Sequence, residues 1–543
     1  MKEVHEYFTW VDWGVLFGYL ALTTLVGHLM RGKQSTIKDF FAGGRSLPWL
    51  AVCGSIIATE ISGVTFIGVP GGVMAAGGDF TYMLWGIGSV MGRVIVGLVF
   101  VKVFYEDNIY SPYDYMGRRI KPALKTLATV FFTIGSILGQ SVRVLVAALP
   151  LMVVTGWAFE VCILIIGVFA IGWTLMGGMR TVIWTDVMQF CLFVVGGLIA
   201  LFWMVGHLDG GWSEFRQVGE AAGKFRMWDA RFDWGNWGPE FKFTFWVAIF
   251  AVPFQNVTAF GVDQLNAQRM FCCRNARDAS KAIIWSSVGQ GITYLMLLVG
   301  AGLFAWYATH PPEGAIADAL NFDSEGNPVD GDIVFPVWIV TELPRGLKGL
   351  ILGAVFAAAI SSLDSILAAL SQTTISLLHK TDSHEEEHGE GHRQEYLVKQ
   401  SRIWVVVWGV ALTLFTLLMR YAKEVAGIPI LPLAFWMTSY TMGPLLGMFI
   451  CALLGKGSFR GLLIGSILSF LTVVFMRPDI WVLLQAAGMP IDWLANLPTF
   501  AVKETKAGSE LVTLIGTHWA WPLTTFITLG FGLLIPRRET SNR

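Results

Sequence analysis

Apolar positions along this chain come in long, continuous runs separated by short polar stretches. They occupy 13–30, 48–74, 80–104, 123–153, 157–177, 182–206, 243–266, 281–307, 346–378, 402–420, 428–454, 459–476 and 517–536. Each is near the roughly 20 residues a helix needs to cross about 30 Å of hydrocarbon. None shows the alternation of a membrane strand, so the runs predict helices. The expected fold is an all-α polytopic membrane protein with about 13 transmembrane helices. Between 478 and 516, Pro490, Pro498 and the polar residues after Lys503 predict a surface excursion. The segment before the first run holds Glu3, Glu6 and Asp12 against Lys2, the wrong charge for a leader. That run is read as a retained helix.

Two runs carry signs of interruption. Ala51–Gly77 contains Gly54, Gly63, Gly68, Pro70, Gly71 and Gly72, with Thr59, Glu60, Ser62 and Thr65 among apolar neighbours. Phe243–Leu265 contains Pro253, Gln255, Asn256, Thr258 and Gly261 ahead of Asp263. Four helices separate the two. This spacing predicts a LeuT-type 5+5 inverted repeat, each half opening on a broken helix that offers backbone groups to an ion. The repeats would be 48–206 and 243–454, with 13–30 as an extra N-terminal helix and 459–543 as C-terminal helices and tail.

Composition changes this picture little. The 543 residues are 54% hydrophobic and 14% charged, and the formal net charge of −1 gives no basic tract for nucleic acid. The six cysteines make no disulfide framework, and Cys272–Cys273 lacks zinc-site spacing. The segment from His379 to Gln400, with His384, His388 and His392, reads as a solvated linker. Basic residues decide orientation. Arg31, Lys33, Lys38, Arg118, Arg119, Lys121, Lys125, Arg180, Arg269, Arg274, Lys456, Arg460, Arg537 and Arg538 all share one side if the N-terminus is outside and the C-terminus cytoplasmic. A bacterial inner (cell) membrane suits that topology.

Ionisable residues inside apolar runs are functional candidates, because burying them costs several kcal/mol. They are Glu60, Arg143, Asp186 and Asp364. Ser361, Ser362 and Ser365 surround Asp364 with hard oxygens suited to a hard cation. Arg143 needs an anionic partner, and Glu60 or an anionic group of a solute would supply it.

Ordered stretches resemble the solute:sodium symporter family over about 10–476. They are FFAGGRSLPWLAVCGSIIAT at 40–59, SPYDYMGRRI at 111–120, GGMRTVIWTDVMQ at 177–189, DQLNAQRMF at 263–271, the segment 335–365 ending in SSLDS, and GPLLGMFI at 443–450. The resemblance implies a common sodium site from the carbonyls of Ala58, Ile61 and Ala358 with the hydroxyls of Ser361 and Ser362. It implies a second site from Asp186, Ser365 and the Ser361 carbonyl. Asp364 stands where that second site usually holds serine or threonine. Substrate contacts would fall on Glu60, Ser62, Thr65, Met83, Arg143 and Asn256. Arg143 lies about two turns beyond the arginine that reads a solute carboxylate in sialic acid members.

The function implied is sodium-coupled symport of a small organic solute (sugar, monocarboxylate or amino acid) into the cell by alternating access. Proton coupling is the alternative, and a channel follows behind it. The chain carries no nucleophile motif, phosphate loop or haem pair, so it is not read as an enzyme. The expected partners are the solute, Na+ and membrane lipid, with neither nucleic acid nor an obligate protein partner.

Overall fold

The computed structural model describes residues 3–30, 43–107, 109, 111–176, 179–231, 243–323, 326–378, 390–426, 429–486, 488–490, 492–497, 499–505 and 508–536. Nearly every apolar run is a helix with apolar residues all round, as burial in lipid and protein together requires. Among the described residues, ten helices are long and apolar enough to span a membrane, and eleven if one bent pair counts as a span. In chain order they are α1 (Trp10–Met30), the bent pair α2 (Trp49–Glu60) and α3 (Val64–Met74), α4 (Phe80–Glu106) and α5 (Pro122–Thr155). After a shorter helix, α6 (Phe159–Met176), come α7 (Met179–Gly206), α8 (Phe245–Val262), the short α9 (Gln264–Met270), α10 (Ala276–Thr309) and α11 (Leu347–Leu378). The chain continues with α12 (Tyr396–Tyr421), α13 (Ile430–Leu454), α14 (Phe459–Met476) and α15 (Ala520–Leu534). The last has 15 residues, which at 1.5 Å each fall short of roughly 30 Å of hydrocarbon. Between α14 and α15 lies the expected excursion, which includes an antiparallel hairpin of β1 (Phe500–Thr505) and β2 (Gly508–Thr513). Residues 379–389 of the histidine-bearing linker and the basic residues at 31–38 and 537–538 lie outside the described residues; the linker reading is corrected for 390–400, which open a helix, Glu390–Ala426.

The first expected interruption is where the sequence put it. After Glu60 the chain leaves the helical region, with Ile61 at φ −78° and ψ 80°, and resumes through a π-turn at an angle of 52° to α2. The second lies further along than Pro253. That proline occupies the first turn of a helical segment, where its missing N–H costs nothing. The chain turns extended only at Asp263, with ψ 127°, whose side chain then accepts the Leu265 N–H at 2.8 Å to cap α9.

α11 is the central post and is buried over almost its whole length. α3 is pinned at its far end by backbone contact with the loop before residue 334. A methyl group on Gly71 would come within 2.5 Å of the Gly331 carbonyl oxygen. Lys224 completes the fixation by donating to the Val73 and Ala75 carbonyls at 2.8 and 3.1 Å. Gly71→Ala is therefore expected to lower stability by about 1–3 kcal/mol, read as an earlier unfolding transition of the detergent-solubilised protein. An unchanged transition would show that the two backbones are free to separate.

Candidate functional site

Releasing the chain from helix at Ile61 changes which carbonyls are satisfied. In an unbroken helix the Ser62 and Thr65 N–H groups would cover the carbonyls of Ala58 and Ile61. Here Ser62 donates to Glu60 O at 3.0 Å and Thr65 to Ser62 O at 2.9 Å. The Ala58 and Ile61 carbonyls are left without their helical donors inside a buried segment. α11, which packs against α2, carries Ser361 and Ser362, both buried, and Gln189 of α7 holds the neighbouring Ala357 carbonyl at 3.0 Å.

One buried charge cluster ties these elements together. Asp186 of α7 accepts from Ser55 of α2 at 2.5 Å and from the Ser361 hydroxyl of α11. Arg269 of α9 lies 3.1 Å from the same carboxylate and donates to Ser55 at 3.0 Å, Ser365 at 2.7 Å and the Leu265 carbonyl at 2.8 Å. Its side chain is fully buried, so the inside-loop position expected for Arg269 is corrected: it is an interior residue. The carboxylate is the reason, since a guanidinium buried at 0% exposure needs a counter-charge at contact distance.

The three side chains expected to form a second sodium site do not converge. The Asp186 carboxylate and Ser365 hydroxyl are both taken by Arg269, while Asp364 turns to Thr174 Oγ1 of α6 at 2.7 Å.

A second cluster occupies the far side of the break. Glu60 is held by Arg93 of α4 and by Gln290 Nε2 of α10 at 3.0 Å. Arg93 also donates to Ser89 at 2.9 Å and stacks its guanidinium 4.4 Å from the Phe260 ring centroid. Ser89 in turn donates to Asn256 at 2.8 Å. The expected Glu60–Arg143 pair is therefore corrected: Glu60 has another cation closer by. Arg93 sits in the middle of the apolar run 80–104, so the reasoning applied to Arg143 would have found it.

Beside the break lies a cavity of about 170 Å³. Glu60, Ser62, Thr65, Arg143 and Asn256 all line it. Met83 does not; it is 39% exposed, facing away. Aromatic rings cover the cavity on the side of the α4 and α13 N-termini. Trp85 packs 4.4 Å from Phe435, Tyr82 packs 4.7 Å from Phe243, and Trp521 of α15 reaches Trp85 at 5.9 Å.

A bundle of apolar helices, one unwound beside buried hydroxyls and a cavity lined by both polar and aromatic residues, has the architecture of a secondary transporter. The comparisons specify which kind. The chain belongs to the sodium:solute symporter family, whose family model matches residues 40–465. It is 28% identical to the sodium/sialic acid symporter SiaT of Proteus mirabilis over 492 residues, 88% of this chain and 91% of that protein. It is 30% identical to the sodium/glucose cotransporter of Vibrio parahaemolyticus over 383 residues, 68% of each. A solved structure of a Na+-coupled sialic acid symporter, substrate-bound and outward-open, superposes with a TM-score of 0.73 at 24% identity, covering 96% of both chains. The protein is a multi-pass membrane transporter that uses Na+, and not an enzyme.

Breaking one side of a buried ion pair should cost about 3–5 kcal/mol. Arg269→Gln is expected to unfold at lower temperature than the wild type, and Arg269→Gln with Asp186→Asn to recover much of the loss. Additive losses in the double variant would mean that the two side chains do not act as a pair.

Proposed function

We propose that the chain carries a small organic solute into the cell together with sodium, by alternating access. The observation that carries this reading is the pair of carbonyls released at the α2–α3 break opposite the α11 hydroxyls. Carbonyls of Ala58, Ile61 and Ala358 with the hydroxyls of Ser361 and Ser362 form an all-oxygen set suited to a hard, poorly polarising cation. Sodium at this position draws the α2–α3 hinge onto α11 and completes the cavity beside it. The inward sodium gradient and the membrane potential, worth about 2.3 kcal/mol per charge per 100 mV, then drive the cycle.

The interruptions at Ile61 and Asp263 support a repeat of two five-helix halves, 48–206 and 243–454, after an extra N-terminal helix. In this arrangement 13 helices place the N-terminus outside and the C-terminus in the cytoplasm.

The Asp186 cluster bears on stoichiometry. A carboxylate already facing a guanidinium at 3.1 Å offers sodium little further attraction. Arg269 thus supplies, as a fixed charge, the positive partner that a second ion would bring. One sodium moves per cycle.

Ser361→Ala and Ser362→Ala are each expected to raise the sodium concentration for half-maximal uptake into proteoliposomes by about tenfold, the loss of one ion–oxygen contact of about 1.4 kcal/mol. Uptake that persists at full rate in sodium-free medium with both serines replaced would refute the proposed site.

A further inference from the structure

The polar groups that line the cavity are unevenly satisfied, and the pattern of what is missing has a chemical shape. Glu60 and Asn256 are fully engaged with Arg93, Gln290 and Ser89. Arg143 is different. Its Nη1 is buried with no hydrogen-bond partner, and the carboxylate expected to pair with it is held elsewhere. Asp263 lines the same cavity, uses one oxygen on the Leu265 N–H, and has no ion pair at contact distance among the described residues, the Arg143 and Arg269 charges acting on it from further off. Three residues that line the cavity carry a buried carbonyl oxygen without a donor: Gln140 Oε1, Gln255 Oε1 and Asn266 Oδ1. The Asn266 amide is oriented by its own donation to the Ala259 carbonyl at 2.8 Å, so its oxygen is the end left over. Buried polar groups normally find a partner in protein, ordered water or a ligand.

We propose that the solute is a zwitterionic amino-carboxylate, its carboxylate on Arg143 and its ammonium among Asp263, Gln140, Gln255 and Asn266. This rests on the reading of the cavity as the solute site of a symporter. A guanidinium accepts a carboxylate through two parallel N–H···O bonds, which fixes both position and orientation. An ammonium brings three N–H donors to a region that holds acceptors and one negative charge. Other solute classes fit worse. A sugar would satisfy the carbonyl oxygens and leave Arg143 and Asp263, both half-buried, with only their longer-range attraction for each other. A monocarboxylate would satisfy Arg143 and leave the acceptors and Asp263 with nothing to receive. The α-substituent of the zwitterion would lie against the aromatic side, on Trp85, Phe260 and Phe435, which also line the cavity.

Charge balance agrees. Arg93 and Arg143 against Glu60 and Asp263 sum to zero in the empty cavity. A net-neutral solute preserves that sum, so the charge moved in each cycle is the sodium's alone. An anionic solute would cancel it and forfeit the drive of the membrane potential.

The test is binding of matched compounds to the purified full chain, by calorimetry in sodium and again with choline in its place. L-alanine, L-leucine and L-phenylalanine are each compared with the corresponding α-hydroxy acid and amine, and with glucose. In sodium at least one amino acid is expected to bind about tenfold or more tightly than both of its analogues, since each analogue leaves buried groups unpaired. Asp263→Asn, which retains the capping ability of this position, should erase the preference for the amino acid over the hydroxy acid. Arg143→Lys should keep measurable carboxylate binding that Arg143→Gln loses. The proposal is overturned if glucose or a hydroxy acid binds as tightly as every amino acid, or if none of the amino acids binds in either medium. Sodium-dependent binding of glucose or a hydroxy acid alone would overturn the zwitterion and leave the symporter standing. Amino-acid binding equally strong in choline would uphold the zwitterion and remove the coupling.

Discussion

A charge buried among apolar helices must meet its opposite, and the rest of this structure is organised around that requirement. Asp186 and Arg269 meet it for each other, and in doing so they join α2, α7, α9 and α11 at one point. Small hydroxyls make the junction compact. Ser55 accepts from Arg269 while donating to Asp186, and Ser361 donates to the same carboxylate from the opposite helix. Because one carboxylate binds both Ser55 and Ser361, the first half of the broken helix is held to the central post about a turn away from the released carbonyls. An ion at those carbonyls would act on a hinge whose lower arm is already fixed.

The upper arm is held differently. α3 is fixed by backbone contact at Gly71 and by Lys224 on its terminal carbonyls, while Glu60 at the hinge is tied to α4 and α10 through Arg93 and Gln290. The break is thus flanked by two ion pairs on different partner helices. The aromatic cover formed by Trp85 and Phe435 also brings α15, outside the proposed repeats, against the cavity's lining through Trp521.

Much of this is legible in the chain. Helix positions follow from apolar runs longer than any soluble core needs, and the hinge follows from Ser62, Gly63 and their neighbours. Glu60, Asp186 and Asp364 stand out because carboxylates are costly in such runs. What the sequence conceals is pairing. Arg269 lies beside Arg274 and Arg277, and by charge alone it belongs to a cytoplasmic loop; only the three-dimensional return of α9 toward Asp186 draws it inside. Arg143 and Arg93 are equally conspicuous in sequence, and which of them reaches Glu60 depends on how α4 and α5 rotate about their own axes. The second break falls within the expected run Phe243–Leu265, at Asp263 and not at its proline, for a local reason. Pro253 looks like a helix breaker, yet at the start of a helical segment it breaks nothing, and the work is done by Asp263 ten residues later.

The central claim is that a fixed arginine fills the cationic place beside Asp186, leaving one site for sodium. It is tested most directly by equilibrium binding of radioactive sodium to the purified protein, counted per chain. The account predicts one sodium bound per chain, with non-cooperative saturation. Two sodium ions per chain in the wild type would contradict it.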